Sequence, residues 1–150
     1  MELMAERLES LKSGIIGSIS LGLAFLFTSL INVLWLAKYF PLLTYQKVEF
    51  LNLQMLLSGI IAGFSGFLFG VTYRYIIRVD TNPHLKTGGI WAFGLVRGLT
   101  QIEVGWNVNN TLLPFLILAG ESIFWFALAA IILDTAILLG WLKPFSSIYK

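Results

Sequence analysis

Four long apolar runs constrain this chain more than anything else in it. They cover residues 14–36, 53–77, 88–106 and 112–142. About 20 apolar residues cross the ~30 Å hydrocarbon core of a bilayer as a helix. The apolar residues come in runs rather than at the period of a soluble amphipathic helix. Only 12% of residues are charged and 57% are hydrophobic, against about 25% charged in soluble domains. The expected fold is therefore all-α: an integral membrane four-helix bundle in a single domain of 150 residues.

The third run is the informative one. Residues 85–106 read LKTGGIWAFGLVRGLTQIEVGW and carry Arg97 near the middle. At ~100° per residue, Gly94, Arg97, Gly98, Gln101 and Gly105 fall on one stripe. Glycines admit a neighbouring helix, and the same stripe presents a cation and an amide. A charge at the bilayer centre costs at least ~2.5–3.5 kcal/mol, so Arg97 needs a partner inside the protein.

Counting along the helices nominates that partner. Arg97 lies eleven residues past Lys86 and Asp134 nine residues before Lys143. At 1.5 Å per residue these are ~16 and ~14 Å from one edge. A buried Arg97–Asp134 ion pair between the third and fourth runs is expected. Gln101 adds a hydrogen-bonding group one turn away. Glu103 and Glu121 lie nearer the opposite edge and on other faces.

The second run holds Gly59, Gly63, Gly66 and Gly70. Steps of four, three and four put them within about 40° on a helical wheel. This small-residue seam lets helix backbones approach in lipid. A contact within one chain is favoured over a homodimer face. A short likeness between Leu11-Lys12-Ser13-Gly14 and Leu85-Lys86-Thr87-Gly88, 74 residues apart, raises an internal duplication.

Lys and Arg counts set the orientation. Seven lie in the N-terminal lead, the second loop and the tail, and two in the first and third loops. The positive-inside rule then puts both termini on the cytoplasmic side. The mixed-charge lead MELMAERLESLK reads as a retained segment, not a signal peptide. In the first loop, residues 37–52, Tyr39, Phe40, Tyr45 and Phe50 alternate with Lys38, Lys47 and Glu49, as at a headgroup layer. Tyr73, Arg74, Tyr75 and Arg78 read as a second interfacial anchor.

Chemistry is sparse. With no cysteine, thiolate metal sites, disulfides and thiol nucleophiles are excluded. The single histidine, His84, sits in a loop with Asp80 and is expected to be solvated rather than metal-bound. No phosphate-binding GK[ST] loop, HExxH or GxSxG occurs. No cofactor, metal or nucleic acid is expected. The AFGLVRGLTQIE core of the third run resembles small uncharacterised four-span proteins of cyanobacteria and plastids. That resemblance covers about a third of the chain and implies a thylakoid or cytoplasmic membrane, and no activity. The expected function is a non-enzymatic accessory or assembly subunit of a larger membrane complex in the bacterial cytoplasmic membrane. It would contact the lipid bilayer and other membrane proteins, or associate with itself. The rival is an oligomeric proton, ion or small-solute transporter using Arg97 and Asp134, with Asp134 titrating, Glu103 or Glu121 as the outer station, and Gln101, Glu103 and Glu121 as a possible polar site. A site for an anionic lipid or pigment headgroup is the third reading.

Overall fold

A computed structural model describes residues 2–35, 38–39, 53–77, 82–106 and 112–145. These form four helices: α1 (Glu2–Leu34), α2 (Leu53–Ile77), α3 (Pro83–Trp106) and α4 (Leu113–Leu138). The expectations for most of residues 37–52, for Asp80 and Arg78, for the third loop and for the tail beyond Phe145 lie outside the described residues. Helices α1, α2 and α4 are long and apolar enough to cross a membrane. Helix α3 is not among them, because Arg97, Gln101, Glu103 and several glycines dilute its apolar residues.

The helix ends differ from expectation for local reasons. The mixed-charge lead and the first apolar run form one continuous helix of 33 residues, which at 1.5 Å per residue is ~50 Å. Helix α3 starts before the apolar run does. Asn82 accepts the His84 backbone N–H at 3.0 Å through its side-chain oxygen, and Pro83 supplies a first-turn residue needing no N–H partner. Helix α4 stops at Leu138, short of the expected 142. Gly140 has φ 73°, which glycine alone adopts cheaply. The Trp141 N–H reaches Ala136 O at 2.9 Å and the Gly140 N–H reaches Ile137 O at 3.0 Å. That pair of bonds is a Schellman cap. It turns the chain back so that Leu142 is buried.

Packing divides the bundle into two hairpins, α1 with α2 and α3 with α4. In the first, Gly14 and Gly17 of α1 face Gly66 and Gly70 of α2. A methyl on Gly17 would strike the Gly66 carbonyl, and one on Gly70 the Ser13 carbonyl. The Ser13 hydroxyl donates to Gly70 O at 2.6 Å. The seam loosens along α2. At Gly63 a methyl would meet Ser18 Oγ at 3.3 Å, and at Gly59 it would meet Phe25 at 3.4 Å. The glycine seam is therefore used within the chain. The two hairpins do not use their related segments alike: Gly14 packs against Phe67, whereas Gly88 faces open space.

Between the hairpins, Phe69 of α2 is the centre of the core. Its ring lies 5.2 Å from Tyr73, 5.3 Å from Phe93 of α3 and 5.1 Å from Phe126 of α4. Edge-on and tilted contacts of this kind add to simple area burial. Leu21, Ala62, Ala129 and Leu133 fill the space around it.

Candidate functional site

The site begins with two glycines. A methyl on Gly94 would lie 2.8 Å from Ile123 Cα, and one on Gly98 would lie 3.0 Å from Ala119 Cβ. This close approach fixes the antiparallel register of α3 on α4. Arg97, between them, is thereby level with the Gly120–Glu121 step of α4.

The expected Arg97–Asp134 pair does not form. Lys86 Nζ is 3.1 Å from both Asp134 carboxylate oxygens, and each side chain is 33% exposed. The depth count failed because it took Lys143 as the end of a straight fourth helix. With α4 capped at Leu138, Asp134 is four residues from the helix end, level with the first turn of α3. Arg97 lies ~16 Å further along α3.

Arg97 instead places its guanidinium over Trp125 of α4, 5.0 Å from the ring centroid. The aromatic face attracts a cation, most strongly where water is excluded. Trp125 is itself fixed on two sides. Its Nε1–H donates to Thr28 Oγ1 of α1 at 3.1 Å, and Phe25 meets its ring edge-on at 5.7 Å. The Thr28 hydroxyl donates to Ala24 O at 3.0 Å. One turn on, Asn32 Nδ2 donates to Glu121 Oε2 at 3.2 Å. Glu121, expected in a possible polar site with Gln101 and Glu103 but off the face of the Arg97–Asp134 pair, is thus in the same layer as Arg97. Glu103 is exposed.

Among the described residues, three buried side-chain atoms have no hydrogen-bond partner: Asn32 Oδ1, Arg97 Nε and Gln101 Oε1. All three belong to this half of the bundle. Buried polar atoms are nearly always satisfied by protein or ordered water. These atoms, two acceptor oxygens and one N–H donor, leave this half of the bundle with unfilled hydrogen-bonding capacity. No group of three or more His, Asp or Glu side chains able to hold a metal occurs among the described residues.

A second polar cluster lies at the other end of the bundle. Arg74 was expected in an interfacial anchor, yet it is fully buried, and Tyr73 is 1% exposed. Arg74 Nε donates to Lys143 O at 2.9 Å, and Nη1 donates to Glu6 O at 3.1 Å and to Ser10 Oγ at 2.7 Å. Nη2 is paired with the Glu6 carboxylate. The guanidinium also lies over the Phe145 ring. Glu9 accepts the Lys143 backbone N–H at 3.0 Å and the Lys12 ammonium at 2.7 Å. The lead of α1, the end of α2 and the chain after α4 are tied together here. A signal existed: Glu6 and Ser10 are one turn apart on the lead, a spacing suited to one cation.

No family model matches the chain, and neither a characterised protein nor a solved structure matches it.

Proposed function

We propose that the protein is a non-enzymatic, four-span integral membrane protein with both termini on the cytoplasmic side. On this reading it acts as an accessory or assembly subunit of a larger complex, in a bacterial cytoplasmic membrane or a thylakoid. The observation that carries this is the character of α3. It is the helix that falls short of spanning apolarity. Its outward face mixes Trp91, Leu95, Val96 and Leu99 with exposed Thr100 and Glu103. Lipid alone is a poor solvent for such a face. The helices of another membrane protein cover it better, pairing its polar groups.

Photo-crosslinking residues at Val96 on α3 and Ile60 on the outward face of α2 test the reading. At native expression in mild detergent, position 96 should give a heavier adduct and position 60 should not. A lone monomer with no adduct from position 96 defeats it. The topology is tested separately, since the chain has no cysteine of its own. Single cysteines at Ala5 and His84 should label from the cytoplasmic side, and those at Gln46 and Asn109 from the other.

A second reading rests on the unpartnered Asn32, Arg97 and Gln101 atoms beside Glu121. It is proton or ion movement through an oligomer, with Glu121 in place of Asp134 as the titrating group. Reconstituted vesicles that move protons, and stop with Glu121→Gln, would put this reading first.

A further inference from the structure

The face of the bundle between α1 and α4 carries an apolar cavity of about 200 Å³. Ile16, Ile132, Thr135, Ala136, Leu139 and Trp141 line it. Ala136 is the buried floor, and Ile132, Leu139 and Trp141 are exposed along the opening. The Schellman turn at Gly140 makes this shape, because it carries Trp141 around the end of α4 to close one side. The groove is open along one side, so in a bilayer its apolar walls meet hydrocarbon rather than water.

Charge sits at the end of this groove formed by Lys12 and Lys143. Lys12 is one turn before Ile16 on the same face of α1. Lys143 follows Trp141 by two residues. Glu9 holds both segments side by side, through the Lys12 ammonium at 2.7 Å and the Lys143 backbone N–H at 3.0 Å. The Lys12 side chain is 57% exposed, and its ammonium has three N–H donors, of which Glu9 uses one. Lys143 is exposed as well. Two lysines against one glutamate leave the mouth net positive. Trp141 beside it is 72% exposed, an amphipathic ring of the kind that settles at headgroup level. A cationic mouth one helical turn from an apolar slot matches an anionic amphiphile and not a peptide or a soluble anion.

We propose that this groove binds an anionic phospholipid, with the phosphate between Lys12 and Lys143 and one acyl chain against Ile16, Ile132 and Ala136. The proposal rests on the membrane reading above, and the test separates the two. The full chain is reconstituted in vesicles of equal phosphatidylglycerol and phosphatidylethanolamine, washed with alkaline carbonate and extracted in mild detergent. Native mass spectrometry then counts retained lipid. Wild type should retain one phosphatidylglycerol per chain in preference to phosphatidylethanolamine. Each basic residue near an anionic headgroup is worth about fivefold in affinity, so Lys12→Gln with Lys143→Gln should weaken retention by about 25-fold. The Lys143 backbone contacts to Arg74 and Glu9 survive that change. Thr135→Trp, at the exposed lip, should block the slot and abolish retention with both lysines intact. Unchanged retention in either variant, or equal retention of phosphatidylethanolamine, overturns the proposal while the membrane reading stands. Recovery of the chain in the carbonate supernatant overturns both.

Discussion

Replacing Gly70 by alanine should separate the α1–α2 hairpin, and the size of the effect follows from the geometry. The new methyl would strike the Ser13 carbonyl and lie 3.1 Å from Gly14 Cα. Both obstacles are backbone, so no rotamer change relieves them. Ordinary contact distance requires the helices to part by roughly 1 Å, the scale of overpacking that costs about 1–3 kcal/mol. Parting also lengthens the 2.6 Å bond from Ser13 Oγ to Gly70 O, and hydrogen bonds between membrane helices average about 0.6 kcal/mol. The expected loss is about 2–3.5 kcal/mol. Gly22 and Gly120 have nothing within 4 Å of an added methyl. Alanine there should fall within about 1 kcal/mol of neutral, since helix propensity favours it. Gly63→Ala should lie between, because Ser18 Oγ can rotate away. The assay is reversible SDS titration in mixed micelles, followed by tryptophan fluorescence. Equal stability of Gly70→Ala and Gly22→Ala would refute the argument that backbone proximity at the seam governs this hairpin.

Other perturbations read the polar contacts by the same titration. Arg74→Met should cost about 1.5–3 kcal/mol by removing the buried cation that the Glu6 carboxylate, Ser10 and the Lys143 carbonyl share, and Arg74→Lys should rescue little, because an ammonium cannot fill the forked set of acceptors. Lys86→Met or Asp134→Asn should cost under about 1 kcal/mol, as a part-exposed pair does. Combining Arg97→Met with Asp134→Leu should be additive within about 0.5 kcal/mol, and a larger coupling would restore them as direct partners. Arg97→Met and Trp125→Leu should instead be coupled by about 0.5–2 kcal/mol, the range of a cation over an aromatic face; additive losses there would remove that contact from the account.

Much of this was legible because it is periodic. The apolar runs located the helices, and the glycine steps of α2 and α3 named the faces that touch. Arg97, Gln101 and Glu121 were singled out because polar groups are conspicuous in apolar runs. Their pairing was not legible, because it depends on where each helix stops. Gly140 was the residue to weigh. Taken as the capping glycine, it ends α4 near residue 138 and moves Asp134 to the edge of the bundle. Arg74 was misplaced for a related reason. Its proximity to Tyr75 and Arg78 in sequence resembles a surface anchor, while its partners Glu6, Ser10 and Lys143 are more than 60 residues away. Nothing local to residue 74 marks it as buried.

The two kinds of contact do different work. Within each hairpin, register comes from glycines: Gly17 against Gly66 in one, Gly94 against Ile123 in the other. Such contacts are steric and allow one close-packed solution. Between the hairpins the surfaces are smoother, built from Phe69, Phe126, Leu21 and Leu133, and apolar surfaces alone discriminate poorly among neighbouring registers in lipid. There the polar links choose: Trp125 with Thr28, Glu121 with Asn32, and Arg74 with Lys143. Each of the three Arg74 nitrogens has a hydrogen-bond partner, which fixes that end. At the other end Arg97 and Glu121 are level with each other and each holds a neutral partner, with amide oxygens of Asn32 and Gln101 left over. A partly satisfied buried network has more than one arrangement of similar energy, whereas a fully satisfied one rigidifies. The Arg97–Glu121 layer is therefore the less tightly specified of the two ends, and the Arg74 end the more tightly specified.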